Sequence, residues 1–199
     1  MNRTKTLLAA AVPAAMLALS APVYAQGQSD AGWYVGAAYG QTTIDVDMTG
    51  ITSPTLDDSD TGFKIYGGFQ FNKHLGAEVG YVDGGKATFG GSIPSLGVGS
   101  FTGDISVTAI TFAAVGTLPL NEQFALFGKV GLATWDAKAS VSISGLGAGA
   151  ADDSGTDLLY GIGARYNLNR NWGITLEYEA VDVEDSGFNM MSVGVRYKF

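Results

Sequence analysis

The 199-residue sequence predicts an all-β fold, a transmembrane antiparallel eight-stranded up-and-down β-barrel preceded by a cleavable signal peptide. Three observations carry that expectation. Eight segments alternate in chemistry residue by residue, as strands with two unlike faces must. The connections between them run long, short, long, short, long, short, long, and an even strand number with short turns at one end and long loops at the other marks outer-membrane barrels. After residue 25 no apolar run approaches the roughly 18 residues that suggest a spanning helix, so any crossing of a membrane falls to strands.

Residues 1–25 read as the signal peptide and 26–199 as the barrel domain. Arg3 and Lys5 precede an apolar run from Leu7 to Leu19, and Val23-Tyr24-Ala25 supplies a small residue at each cleavage-determining position. A membrane anchor is the alternative, but the run is shorter than the roughly 20 residues that a spanning helix requires. The whole chain carries −8; without Arg3 and Lys5 it holds 9 basic against 19 acidic residues, or −10. Nucleic acid is therefore not an expected partner. There is no cysteine, so an exported chain gains nothing from disulfides.

The first strand sets Trp33, Val35, Ala37 and Tyr39 against Tyr34, Gly36, Ala38 and Gly40. Ile44 to Asp60 lacks a period and reads as a long loop. In the second strand Phe63, Ile65, Gly67, Phe69 and Phe71 oppose Lys64, Tyr66, Gly68 and Gln70. Asn72-Lys73-His74 turns the chain tightly into the third, where Leu75, Ala77, Val79 and Tyr81 oppose Gly76, Glu78, Gly80 and Val82. A second long loop is expected from Asp83 to about Asp104.

The fourth strand, about Ile105 to Leu118, is apolar or small on both faces; Ile110, Phe112 and Ala114 are the favoured outward set. After a turn at Pro119 to Gln123, the fifth places Phe124, Leu126, Val130 and Leu132 opposite Phe127, Lys129 and Gly131, with a bulge expected near Trp135. Asp136 to Gly155 reads as the third long loop, although Ala139 to Ile143 alternates enough to prolong a strand beyond the sheet. The sixth strand opposes Leu158, Tyr160, Ile162, Ala164 and Tyr166 to Leu159, Gly161, Gly163 and Arg165. Asn167 to Asn171 turns into the seventh, with Trp172, Ile174, Leu176 and Tyr178 against Thr175, Glu177 and Glu179. A shorter loop, Asp182 to Phe188, leads to the last strand, where Met191, Val193, Val195, Tyr197 and Phe199 alternate with Ser192, Gly194, Arg196 and Lys198. Pro54, Pro94 and Pro119 all fall in expected connections, which suits a residue that cannot donate to a ladder.

A soluble sandwich or binding barrel would alternate too, so the polar faces decide. They hold Gly36, Gly40, Gly68, Gly76, Gly80, Gly161, Gly163 and Gly194. Glycine packs nothing on a solvated face, whereas inside a narrow eight-stranded barrel it makes room for a large neighbour. Laid up and down, the outward aromatics form two belts: Trp33, Phe71, Tyr166, Trp172, Tyr197 and Phe199 at the short-turn end, and Tyr39, Tyr81 and Tyr178 toward the long loops. Lipid-facing walls carry such girdles at both interfaces. The inward charges Lys64, Lys129, Arg165 and Arg196 meet Glu78, Glu177 and Glu179. Buried charges must be paired, so a salt-bridge network filling the lumen is expected, with Arg165 and Glu177 close across the sixth and seventh strands. The weighed alternative to this plug is an ion pathway.

Gly32-Trp33-Tyr34-Val35-Gly36-Ala37, Tyr66-Gly67-Gly68-Phe69-Gln70-Phe71-Asn72, Glu78-Val79-Gly80-Tyr81, Leu176-Glu177-Tyr178 and Ser192-Val193-Gly194-Val195-Arg196-Tyr197-Lys198-Phe199 resemble the OmpA-type eight-stranded outer-membrane barrel family. The resemblance runs from Gly32 to Phe199. It implies residence in the bacterial outer membrane among lipids and lipopolysaccharide. It also implies that the barrel assembly machinery reads Val193, Val195, Tyr197 and Phe199 as an assembly signal. The sequence departs from OmpA itself in ending at the barrel, so cell-wall anchoring through a second domain is not carried over.

No catalytic residues, cofactor or metal are expected. His74, the single histidine, sits in a short turn, and without cysteine the usual activated nucleophile pairs are missing. The loops hold Asp45, Asp47, Asp57, Asp58, Asp60, Asp83, Asp104, Asp136, Asp152, Asp153, Asp157, Asp182, Glu184 and Asp185. A solvated acidic crown is the plain reading; divalent-cation binding by Asp57, Asp58 and Asp60, or by Asp152, Asp153 and Asp157, is the sharper one, without calcium-loop spacing. The expected function is a monomeric, non-enzymatic structural barrel supporting envelope integrity, its loops available for adhesion or ligand contact. The alternative is a narrow channel or transporter for small solutes.

Overall fold

The computed structural model describes residues 31–44, 52–57, 59–93, 98–143, 147–183 and 186–199. The segment read as a signal peptide lies outside them. The strands are β1 Gly32–Ile44, β2 Thr52–Asp57, β3 Ser59–Gln70, β4 Leu75–Ile93, β5 Val98–Pro119, β6 Phe124–Ile143, β7 Gly147–Asn167, β8 Trp172–Val183 and β9 Ser186–Lys198. Every pairing is antiparallel, and β1 pairs with both β3 and β9 while β4 pairs with β5, so eight strands close a ring. Closure leaves no unpaired edge at membrane depth, the condition for strands to cross lipid. β2 stands outside the ring as a short strand on β4.

The alternation read from sequence maps onto the wall. Val35, Phe63, Ile65, Val79, Leu126, Val130, Leu132, Ile162, Leu176, Val193 and Val195 are outward and exposed, while Tyr34, Tyr66, Lys64, Lys129, Glu177 and Arg196 are buried inside. In β5 the outward set is Ile110, Phe112 and Ala114, as favoured. The inward glycines do make room: a Cβ at Gly36 would enter the Tyr66 ring, one at Gly68 the Tyr34 ring, and one at Gly163 the Phe127 ring.

The three short turns share one device. Asn72 Oδ1 accepts the His74 and Leu75 amides at 2.8 and 2.9 Å, Asn121 Oδ1 those of Gln123 and Phe124 at 2.8 and 2.7 Å, and Asn169 Oδ1 those of Asn171 and Trp172, both at 2.9 Å. Each asparagine mimics a backbone acceptor and so closes the hairpin locally.

The long-loop end differs from expectation. β4 runs on to Ile93, β5 starts at Val98, β6 reaches Ile143 and β7 starts at Gly147, so most of the two stretches assigned to loops is paired strand. Above the membrane neither face needs bulk, so the Gly, Ala, Ser and Thr there leave no strong period. Ala139 to Ile143 lies within the sheet, paired to β5 and β7. Trp135 keeps the unbroken β5–β6–β7 register, so no bulge displaces it. The irregularity falls instead between Asp83 and Lys86 of β4, where Gly85 has φ +75°. Asp60 Oδ2 accepts the Lys86 amide at 2.7 Å, Asp83 Oδ1 accepts that of Gly85 at 3.0 Å, and the Thr42 hydroxyl donates to the Gly84 carbonyl at 2.5 Å. This bulge bends β4 where it leaves the barrel wall. Pro54 is not in a connection: it sits in β2, an edge strand that needs no donor there, at a register shift between Thr52 and Thr55. Pro119 ends β5 opposite Ala125, and Pro94 lies outside the described residues.

Candidate functional site in the barrel lumen

The lumen is built in three layers. The middle one is ionic. Lys64 Nζ lies 2.5 Å from Glu177 Oε2 and 2.5 Å from Glu179 Oε2. Lys129 Nζ lies 2.5 Å from Glu78 Oε1, in contact with Glu177 Oε1, and 3.5 Å from Glu179 Oε1. The Tyr34 hydroxyl donates to Glu78 Oε2 at 3.0 Å. Two ammonium groups thus bridge three carboxylates drawn from β3, β4, β6 and β8. Both ammoniums also flank the Tyr66 ring, 5.1 and 5.3 Å from its centroid, which adds cation–π attraction. Lys64 is 1% exposed, so this pairing is what permits the charges to stay inside.

Toward the short turns lies a cationic layer. The Arg196 guanidinium stacks 3.8 Å over the Tyr34 ring and donates to Gln70 Oε1 at 3.4 Å. Arg165 points into the same space but does not meet Glu177. It stands opposite Thr175, while Glu177 stands opposite Gly163 and turns its carboxylate to the two lysines. The expected Arg165–Glu177 contact is therefore corrected. Among the described residues neither arginine takes part in a salt bridge.

Toward the long loops the lumen turns apolar, a layer that the charge pattern did not suggest. Val82, Ala109 and Met190 pack together, as do Ala133, Leu159 and Val181, with Trp135 and Phe188 lying against both groups. Trp135 Nε1 donates to Asp157 Oδ2 at 2.6 Å. The inward parity of Val82 and Leu159 was legible, whereas Trp135 was expected at a bulge; that the three form a continuous lid was not legible, because they come from separate strands.

The outer wall carries ring contacts along the short-turn end. Trp33–Phe69 centroids are 5.0 Å apart, Phe69–Phe71 5.4 Å, Phe124–Tyr166 4.8 Å, Trp172–Tyr197 4.9 Å and Tyr197–Phe199 5.2 Å. Phe69 and Phe124 join the six rings read from sequence. Toward the loops Tyr39, Tyr81 and Tyr178 face outward, and Tyr81 meets Phe63 at 6.2 Å. Val193, Val195 and Phe199 are exposed on the outer face of β9.

Asp60 lies at the rim above the wall, where the Lys86 and Thr61 amides hold its carboxyl below the ordinary 3.8. Asp152 and Asp153 point to opposite faces of β7, and Asp157 lies four residues, roughly 13 Å, beyond Asp153, so these three do not converge on one ion. The side chain of Asp57 and all of Asp58 lie outside the described residues. His74 Nδ1 lies 3.1 Å from the Thr117 carbonyl in its turn.

A closed antiparallel ring with an outward apolar wall between two aromatic belts is the architecture of an outer-membrane barrel. The model of the outer membrane protein beta-barrel domain matches residues 11–199. The chain belongs to this family. It is 27% identical to outer membrane protein A of Serratia marcescens over 98% of the chain and 56% of that protein. The chain thus spans just over half the length of that relative. It is 28% identical to the attachment invasion locus protein of Yersinia pseudotuberculosis over 98% of the chain and 97% of the relative. The crystal structure of Ail, the attachment invasion locus protein of Yersinia pestis, in complex with the heparin analogue sucrose octasulfate superposes with a TM-score of 0.58. Its identity is 24%, over 85% of this chain and 99% of that one. As a member of the family, this barrel resides in the bacterial outer membrane.

Proposed function

We propose that the protein is a structural, non-enzymatic barrel supporting outer-membrane integrity, with a sealed lumen and an acidic loop crown that serves as a contact surface. One observation carries the first part: an apolar layer built on Met190, Leu159, Val82 and Phe188 sits directly above the paired ionic layer. A hydrated ion moving along the lumen would have to strip its water in the first and break buried ion pairs in the second. The lumen cavity that runs from the ionic layer to Arg165 and Arg196 holds about 20 Å³, about the space of a single water. Planar-bilayer recording of the purified barrel tests this: silence is expected, and steady single-channel steps overturn it.

The contact surface rests on charge. Among the residues whose side chains are described, the loop end carries Asp60, Asp83, Asp104, Asp136, Asp152, Asp153, Asp157 and Asp182 against Lys86 and Lys138, so its field attracts cationic surfaces and repels polyanions. A relative named for attachment supports a contact role for such loops. The Ail of Yersinia pestis was crystallised with a sulfated heparin analogue; the acidic crown here argues for the opposite ligand charge. Cells displaying the barrel should adhere to polylysine-coated surfaces and not to heparin-coated ones. The reverse preference refutes the charge argument. The same reading makes lipopolysaccharide and lipid the partners of the wall, the barrel monomeric, and the outward Val193, Val195, Tyr197 and Phe199 the strand read by the assembly machinery.

A further inference from the structure

We infer that Arg165 and Arg196 form a binding site for one small monovalent anion, of chloride size, in the lumen on the short-turn side of the ionic layer. The argument begins with a charge count. At membrane level the lumen holds four cations, Lys64, Lys129, Arg165 and Arg196, and three carboxylates. Every carboxylate faces a cation of the ionic layer: Glu177 and Glu179 lie against the two lysines, with Glu177 Oε1 in ion-pair contact with Lys129 but without a hydrogen bond, and Glu78 meets Lys129 and the Tyr34 hydroxyl. Nothing negative is left for the arginines, and the interior is one negative charge short of neutrality. Lys198, at the rim, makes its own contacts and does not enter the count.

The second observation is geometric. Nε of Arg165 and Nε of Arg196 are both buried without a hydrogen-bond partner. Both side chains line the same cavity, with Tyr34 and Gln70 on its walls, and its other end is closed by Lys129, Glu78 and Glu177, whose carboxylates face the lysines and the Tyr34 hydroxyl. Its volume of about 20 Å³ suits one small body of about water size. Arg196 is 7% exposed, and a guanidinium at that depth costs free energy unless it is paired. Its stacking on Tyr34 and its one contact with a neutral Gln70 oxygen attract it but do not neutralise it. A halide between the two guanidinium groups would accept N–H donors from both and close the charge count. Its location also follows from polarity: the loop side of the ionic layer is apolar, so the excess positive charge has no other place to be compensated.

Chloride is the probe. The refolded full chain in detergent micelles is titrated from gluconate buffer, and the ³⁵Cl line width in excess of protein-free micelles is recorded. A saturable excess is expected, falling about tenfold in R165Q/R196Q, as loss of charge-assisted bonds implies. No excess for the native protein, or an undiminished excess in the double variant, overturns the site. Should the double variant fail to fold, bromide-soaked crystals of the native barrel decide: an anomalous peak between the two guanidinium groups supports the site, and its absence removes it.

Discussion

Replacing Lys64 by methionine tests how far the lumen depends on charge pairing. Lys64 is 1% exposed and touches Glu177 and Glu179 at 2.5 Å each. Without its ammonium, Glu179 keeps one partner, Lys129 at 3.5 Å, and Glu177 must share that same cation with Glu78. Three buried carboxylates would then face one lysine. Removing one partner of a buried pair costs about 3–5 kcal/mol, because the remaining charge stays desolvated. The shape change itself is small, since methionine fills most of the lysine stem. K64M should therefore lose about 3–5 kcal/mol in reversible urea unfolding in lipid vesicles, followed by tryptophan fluorescence. K64M/E179Q removes one negative charge with the positive one and should recover most of the loss, with a coupling energy of about 1–3 kcal/mol in the double-mutant cycle. A loss under about 1 kcal/mol, or a double variant no better than K64M, would refute the view that local pairing of the buried carboxylates decides stability here.

Four further outcomes follow from the geometry. G36V drives side-chain atoms into the Tyr66 ring and should cost about 1–3 kcal/mol in the same unfolding assay, whereas V35L, on the lipid-facing side, should be close to neutral. The depressed Asp60 carboxyl gives the β4 bulge a contribution that is fully present above the ordinary 3.8 and lost as pH falls through the lower folded value. Hydrogen exchange at the Lys86 amide, corrected for intrinsic rate, should rise below that pH in the native protein and lose the dependence in D60N. Replacing Asn121 by alanine opens its turn and should cost about 1 kcal/mol, with the same change at Asn169 costing about as much. Deleting Phe199 should slow insertion into vesicles by the assembly machinery more than it lowers the stability of inserted barrels; equal loss of both would reduce the residue to its ring contact with Tyr197.

The ring of eight strands was legible because lipid and a narrow lumen impose opposite demands on alternate residues. Where both demands act, as in Trp33 to Gly40, Phe63 to Gln70, Leu158 to Arg165, Trp172 to Glu179 and Met191 to Phe199, the faces read from sequence are those of the structure, whereas Asp182 to Phe188, read as a loop, pairs β8 with β9. Above the membrane the demand for outward bulk ends, the period fades, and paired strand such as Gly147 to Gly155 looked like loop. β2, on the edge of β4, was invisible for the same reason, and its proline pointed the wrong way.

Sequence alone therefore determined the class of fold, the membrane it suits, the two aromatic belts and the list of inward charges, since each follows from the chemistry of single residues repeated along a strand. Which charge meets which was decided only by tertiary structure. The stagger of a closed barrel brings Lys64 of β3 to Glu177 and Glu179 of β8, 113 and 115 residues away in the chain, and leaves Arg165 short of the glutamate expected across its own hairpin. The apolar lid has the same origin: Val82, Leu159, Val181 and Met190 lie on four strands and become one layer only when the ring closes. Local alternation specifies a face, but a partner across the lumen is set by the shear of the whole barrel.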